Sequence, residues 1–326
     1  MDNFLFSINV TIPIFLVILL GYILRKIGII TESFVAAANK YVFVVALPVM
    51  LFRDIATSDI LVSARGSFVF FCMIVTITMF LLVWLFSWLF LKDKSMVGAF
   101  AQASARGSAA ILGVAFVENI CGNAGMAPLM IVSAVPFFNI LSVIILTFSA
   151  DMGKGAVVSD AAARNQERKK TIKKAFLNIL KNPIIIGIFV GIPFALLQIK
   201  LPVIMTRSIQ YVSQTATPLA LLAIGGGFDK NEAMTRVKPA CAAAFIKLVL
   251  LPAVFLPIAA QFHFMSSEMV AILIMLSSPS TVSCYVMAKN MGNDEVLTSN
   301  AVVITTLMSS VTLTAWVFIL RSLGLI

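Results

Sequence analysis

The chain has 326 residues, of which 60% are hydrophobic and 12% are charged, and its mean hydropathy is +1.04. An average soluble domain carries about 25% charged residues, which it needs to cover its surface. A water-soluble fold is therefore excluded. Because a chain inside a bilayer must pair its own backbone groups, the composition predicts an all-α protein that crosses the membrane many times.

Ten apolar runs approach or exceed the roughly 20 residues that a helix needs to cross the hydrocarbon core. In chain order they cover residues 4–24, 32–52, 66–91, 96–120, 126–149, 183–199, 208–228, 239–262, 268–289 and 296–320. Five runs precede a basic segment at 150–182 and five follow it. The sequence thus predicts two five-span units, 1–149 and 183–326, joined by a solvated linker that either fixes topology or binds lipid or a partner.

The lysines and arginines predict the orientation. Sixteen fall in loops on one side, five fall on the other, and three (Lys40, Arg106 and Lys247) lie within spans. The richer side is cytoplasmic by the positive-inside rule, so both termini face outward across a cytoplasmic membrane. The basic residues behind the net charge of +10 lie mainly in these loops, as the topology requires. We therefore expect contact with membrane lipids and no nucleic-acid partner.

The two halves match when the chain is shifted by 170 residues. The matches include Pro13 with Pro183, Pro48 with Pro218, Ser108 with Ser278 and Gly122 with Gly292. Since each half has an odd number of spans, the second half must insert in the opposite sense. The prediction is two inverted five-helix repeats, an architecture of secondary transporters whose substrate site lies where broken helices meet.

The fourth and ninth spans carry small, hydroxylated and helix-weakening residues near their centres. Gly107 and Gly113 permit unwinding of the fourth span, and Pro279 removes a backbone donor from the ninth. Free amides at half-helix N-termini favour an anion. The alternative is that both spans are kinked structural helices in which Ser and Thr hydroxyls hydrogen-bond the freed backbone groups. The predicted substrate site at the breaks comprises Arg106, Gly107, Ser108, Ala109, Ser278, Pro279, Ser280 and Thr281.

Ionisable side chains within spans usually face a functional cavity. Arg106 either attracts substrate or pairs with carbonyls or with Glu118. Lys40 and Lys247 either contact substrate or extend their ammonium groups to an interface. Glu118 either titrates during transport, as a weak candidate for ion coupling, or pairs near the membrane surface.

No pattern in the sequence indicates an enzyme. The four cysteines and the single histidine are scattered without metal-ligand spacing, and no catalytic triad or carboxylate pair is evident, so no metal or cofactor is predicted. The Gly225-Gly226-Gly227 run lacks the lysine and the strand of a phosphate loop, and close helix packing or a hinge explains it better.

Several segments together resemble the auxin efflux carrier family, which includes plant auxin exporters and bacterial permeases for malate or malonate. They are Ala46-Leu47-Pro48 with Phe52, Arg106-Gly107-Ser108, Ser278-Pro279-Ser280, Ala288-Lys289-Asn290 with Asp294, and Thr305-Thr306-Leu307-Met308-Ser309. The resemblance implies ten transmembrane helices in two inverted repeats, with the fourth and ninth crossing at their breaks. It also implies that helices one, two, six and seven form a scaffold that dimerises, while the others move.

The resemblance further implies that Lys40 or Tyr41 reaches the site from the scaffold. Family members commonly carry Pro and Asn where this chain has Gly107 and Ser108, and often Pro in place of Ala115. Selectivity for auxin therefore does not carry over.

The predicted function is secondary transport of a small organic anion, a mono- or dicarboxylate, by elevator-like or rocking alternating access. The coupling ion is left open between a proton, sodium and none. The alternatives are a membrane receptor or sensor built on a transporter fold, and a channel.

Overall fold

The computed structural model describes residues 2–57, 66–150 and 176–326. Within these ranges every regular element is a helix. Five helices are long and apolar enough to cross a bilayer: Glu32–Ala56, Gly66–Phe90, Ala127–Ala150, Lys230–Gln261 and Glu295–Ser322. Large hydrophobic side chains such as Phe70, Leu82 and Phe318 are exposed on their outer faces, as expected for lipid contact.

In the described residues, seven α-helices precede the linker. They are α1 (Asp2–Lys26), α2 (Glu32–Tyr41), α3 (Leu47–Ala56), α4 (Gly66–Phe90), α5 (Val97–Ala105), α6 (Ala109–Cys121) and α7 (Ala127–Ala150). Eight α-helices follow it in the described part of the chain. They are α8 (Pro183–Leu196), α9 (Val203–Gln214), α10 (Ala216–Gly226), α11 (Lys230–Phe245), α12 (Leu251–Gln261), α13 (Ser267–Ser277), α14 (Ser283–Asn290) and α15 (Glu295–Ser322).

Each predicted apolar run falls on helix, but two helices begin earlier than the sequence suggested. The seventh run begins at Val203 instead of 208. The eighth begins at Lys230 instead of 239, because the Asp229 carboxylate accepts hydrogen bonds from the amides of Asn231 and Glu232 and caps the helix. Lys230, Arg236 and Lys238, which the sequence analysis assigned to a loop, therefore lie on α11. Of the predicted linker, 151–175 lies outside the described residues, and 176–180 is helical.

Two π-helical turns join short helices into longer ones. Val42–Ala46 links α2 to α3, and Ile246–Leu250 links α11 to α12. Each turn directly precedes a Leu-Pro pair, Leu47-Pro48 or Leu251-Pro252. Proline has no amide hydrogen to donate to the carbonyl four residues earlier, so the ladder rearranges locally while the helix continues.

The buried apolar residues form two clusters. The α4 cluster takes residues from α4, α5, α6, α7, α11, α12, α13 and α15, with Phe68, Phe80 and Met275 at its centre. The α1 cluster takes most of its residues from α1, α2, α3, α8, α10 and α14, with Val42 and Ile184 fully buried, and a few from α7 and α15. The two halves of the ninth span are thus divided, with α13 in the α4 cluster and α14 in the α1 cluster.

Glycines allow close helix approach within the α1 cluster. A Cβ at Gly225 would overlap the carbonyl oxygen of Ile18, so α10 packs against the backbone of α1. A Cβ at Gly187 would lie 2.5 Å from the carbonyl oxygen of Pro48, so α8 packs equally closely on α3. The glycine run ending α10 therefore serves close packing, as predicted.

Gly225→Ala tests this packing. Since the new methyl group would meet a rigid backbone carbonyl, we expect a loss of about 1–3 kcal/mol of stability. The measurement is the thermal unfolding midpoint of the purified protein in detergent. Gly66→Ala is the matched control, because no atom lies within 4 Å of a Cβ built there. Equal midpoints for the two variants would contradict the close contact.

Candidate functional site

The fourth span is interrupted at its centre. The helix α5 ends at Ala105, Arg106 is extended (φ −84°, ψ 122°), and α6 begins at Ala109. The ninth span is interrupted in the same way. Its first helix, α13, ends at Ser277, Ser278 is extended (φ −65°, ψ 148°), and α14 begins at Ser283. The predicted breaks are present in both spans.

The two interruptions contact each other and form a crossover. The backbones of Gly107 and Ser280 pair in antiparallel fashion, and the Ser108 amide donates to the Pro279 carbonyl at 2.8 Å. The Ser280 hydroxyl donates to the carbonyl of Ala103 at 2.6 Å. The structure thus joins residues 107, 108, 279 and 280, which the sequence had placed at one site, into a single hydrogen-bonded unit.

Gly107 has no room for a side chain. A Cβ at this position would overlap the Ser278 hydroxyl and would lie 2.9 Å from Nζ of Lys247. The backbones can cross this closely only because one of them carries no side chain at the contact.

Arg106 is buried without a carboxylate partner. Its guanidinium donates to Oδ1 of Asn139 at 2.6 Å and contacts the sulfur of Met287 at 2.6 Å. Within the described ranges Arg106 forms no ion pair, and Glu118 is exposed on α6 instead of pairing with it. A buried, uncompensated positive charge is costly, and a bound anion would offset that cost.

Polar groups around the crossover lack partners. The hydroxyl of Ser278 and Oε1 of Gln102 are buried, and neither has a hydrogen-bond partner in the described part of the chain. No side chain caps the N-terminus of α6 or of α14. These N-termini carry the partial positive charge that favours carboxylates and phosphates, although the amides of Cys284 and Tyr285 in the first turn of α14 already donate to the carbonyls of Thr281 and Val282.

Access to the crossover differs between its sides. Ser108 and Thr281, next to the half-helix N-termini, are half-buried, and the hydroxyls of Thr281 and Ser283 lie 3.2 Å apart. In contrast, Ala109, Pro279 and Ser280 are buried. The N-terminal ends of α6 and α14 are therefore the accessible side of the crossover.

The remaining candidate residues lie elsewhere. Lys40 is exposed on α2, and the Tyr41 hydroxyl pairs with the hydroxyl of Thr215 at 3.2 Å instead of reaching the crossover. Lys247 is fully buried, so the expectation that it extends to an interface is wrong. Its ammonium lies at the crossover, where it donates to backbone carbonyls.

Sequence reasoning missed three polar residues that support the crossover. Asn139 holds Arg106, Gln102 lies beside Met287 at 3.6 Å, and the Thr305 hydroxyl accepts the Ser280 amide at 3.0 Å. A signal was available, since an amide within an apolar span costs free energy unless it is hydrogen-bonded. The sequence analysis assigned roles to charged residues and to the small and hydroxylated residues at the breaks, and gave none to these three.

One cavity lies at the boundary between the α1 and α4 clusters. It has a volume of about 300 Å³ and is lined by α3, α7 and α8, mainly with apolar residues such as Ile55 and Val135. Another, of about 390 Å³, lies among helices of the α1 cluster and is lined by Arg25, Glu32, Gly227 and Lys289.

Comparison with known proteins places the chain in a family. The family described as "Membrane transport protein" matches residues 6–317. A protein of Rhizobium meliloti (strain 1021) named "Putative malonate transporter" is 24% identical over 322 residues, 96% of each chain. An "Uncharacterized transporter" of Methanocaldococcus jannaschii is 23% identical over 322 residues, 96% of this chain and 98% of the relative.

These matches, together with helices long and apolar enough to cross a bilayer, define a membrane transport protein. The chain belongs to the auxin efflux carrier family, which confirms the resemblance seen in its sequence.

Thr305→Val tests the support of the crossover. The substitution removes the acceptor of the buried Ser280 amide, and an unpaired buried donor costs about 1–3 kcal/mol. We expect a lower thermal unfolding midpoint. Thr312→Val on the same helix is the control, because the Thr312 hydroxyl bonds only to carbonyls of its own helix. If both variants have the same thermal unfolding midpoint, the Ser280–Thr305 hydrogen bond does not stabilise the crossover.

Proposed function

We propose that the protein is a secondary transporter of a small organic anion, a mono- or dicarboxylate, which binds at the crossover. The observation that carries the proposal is the uncapped N-termini of α6 and α14 beside a buried Arg106 that has no ion pair in the described structure. All three present positive charge, which a bound anion would offset.

The packing supports two inverted five-helix repeats. Close contact of α10 (seventh span) with α1 (first span) is matched by close contact of α8 (sixth span) with α3 (second span). The second contact repeats the first with the two halves of the chain exchanged. At the crossover α6 packs on α13, and α5 packs on α14, again in exchanged order. We infer ten spans in a cytoplasmic membrane with both termini outside, as the distribution of basic residues predicts.

Alternating access follows from the division of the core. The α1 cluster is built largely from the first, second, sixth and seventh spans, and its glycine contacts bring backbone against backbone. The α4 cluster contains most of the other spans. In the proposed mechanism the α4 cluster and α14 move together, and carry the crossover past the remaining helices of the α1 cluster. Dimerisation through the α1 cluster stays a prediction.

The substrate class follows from the size and charge of the site. Hydroxyl groups, half-helix amides and one guanidinium suit a compact carboxylate, and the buried Gly107–Ser280 contact excludes a bulky one. The relative named for malonate suggests a first substrate to test.

The test is uptake of labelled malonate, succinate and pyruvate by purified protein in liposomes. We expect saturable uptake of at least one of them and at least a tenfold loss in Arg106→Gln, because the neutral side chain no longer compensates the anion. Arg207→Gln is the control, since Arg207 is exposed on α9. Wild-type uptake in the control and loss in Arg106→Gln would support the proposed site.

Ser108→Leu and Pro279→Leu place bulk at the crossover and should also abolish uptake. Equal flux through these variants and wild type would contradict binding there. Counterflow, in which internal unlabelled anion accelerates entry of label, separates a carrier from a channel. A receptor would bind a carboxylate in a thermal-shift assay without any flux.

A further inference from the structure

The ammonium group of Lys247 is enclosed by backbone carbonyls behind the crossover. Lys247 lies in the π-helical turn Ile246–Leu250 and is fully buried. Its Nζ donates to the carbonyl of Ala105 at 3.0 Å and to that of Met275 at 3.2 Å. Across the described ranges Lys247 has no ion pair, so carbonyl oxygens alone offset its charge.

Both carbonyls are free because of the helix breaks. Pro279 has no amide hydrogen, so the carbonyl of Met275, four residues earlier, loses its helical partner. The carbonyl of Ala105 has none because α5 ends at that residue. Both lie at C-terminal ends of half-helices, which carry partial negative charge. In carriers with broken helices, unwound carbonyls and half-helix C-terminal ends hold the coupling cation.

The space around the ammonium is filled. A Cβ at Gly107 would lie 2.9 Å from Nζ and 3.0 Å from Cε of Lys247, so the side chain packs directly against the crossing backbone. The oxygen atoms that a metal ion would bind at this position are already bonded to the lysine.

We propose that Lys247 is a built-in cation that takes the place of a coupling sodium ion, so that the transporter moves its anion without sodium. This inference rests on the proposed function, because it concerns how the same crossover is charged during transport. It also assigns separate roles to two buried cations. Arg106, which contacts Asn139 and Met287, would compensate the anion. Lys247 binds the carbonyls at the C-terminal ends of α5 and α13.

The experiment compares two neutral variants. Lys247→Ala removes the ammonium and leaves a space lined by the Ala105 and Met275 carbonyls, whereas Lys247→Met fills that space with an uncharged chain. Lys238→Ala is the control, since Lys238 is exposed on the same helix. Uptake of labelled malonate is measured in sodium and in N-methylglucamine, with and without ethylammonium, and thermal unfolding midpoints are measured in the same cations.

We expect wild type and Lys238→Ala to transport equally, within twofold, in sodium and in N-methylglucamine. Uptake should fall at least tenfold in both Lys247 variants. Ethylammonium should restore uptake severalfold in Lys247→Ala and raise its unfolding midpoint, and it should do neither in Lys247→Met. A wild-type uptake that rises fivefold or more with sodium would overturn the proposal. So would full uptake by Lys247→Met, or the absence of any cation response in folded Lys247→Ala.

The two readouts separate this proposal from the proposed function. If wild type transports none of the carboxylates, the function fails, and the unfolding midpoints still show whether the carbonyl pair binds a cation once the lysine is removed. If Lys247→Ala does not fold, Lys247→Met in uptake and wild type in the sodium comparison each decide the proposal.

Discussion

The structure depends on one constraint: a backbone group released by a helix break cannot stay unpaired inside a bilayer. Several carbonyls released at the crossover are bound by side chains from other parts of the chain. The Ala103 carbonyl takes the Ser280 hydroxyl, and that of Met275 takes the Lys247 ammonium. Pro252 frees the Leu248 carbonyl, which takes the Ser277 hydroxyl and the Trp316 indole. The breaks therefore dictate which polar side chains the surrounding spans must supply.

The same constraint divides the crossover by charge. Half-helix C-terminal ends meet a lysine of the protein itself, and half-helix N-terminal ends have no capping side chain. An electrostatic site of this kind needs no carboxylate among its residues, which explains why the buried cations are not neutralised in the usual way. The groups left to bind a ligand are hydrogen-bond donors and positive charges, and these favour a negatively charged ligand.

The sequence predicted the helical class, the ten apolar runs and the two breaks, because composition, Gly and Pro act locally and can be read without a partner. It did not predict the position of Lys247, since a π-helical turn alters the helical periodicity just where that residue lies. It also placed the start of α11 too late, because charged residues on a helix beyond the apolar region look like a loop. Asn139 and Thr305 could be recognised only through contacts with distant residues.

The carbonyl-bound ammonium has an energetic consequence for the direction of flux. Charges fixed to the protein move out and back in every cycle, so their electrical work cancels, and the net charge carried is that of the anion alone. A membrane voltage acts on each elementary charge with about 2.3 kcal/mol per 100 mV. In a cell with a negative interior this work expels anions, and a dianion is expelled with twice the force of a monoanion. If neither sodium nor a proton crosses with the anion, the resting voltage drives export.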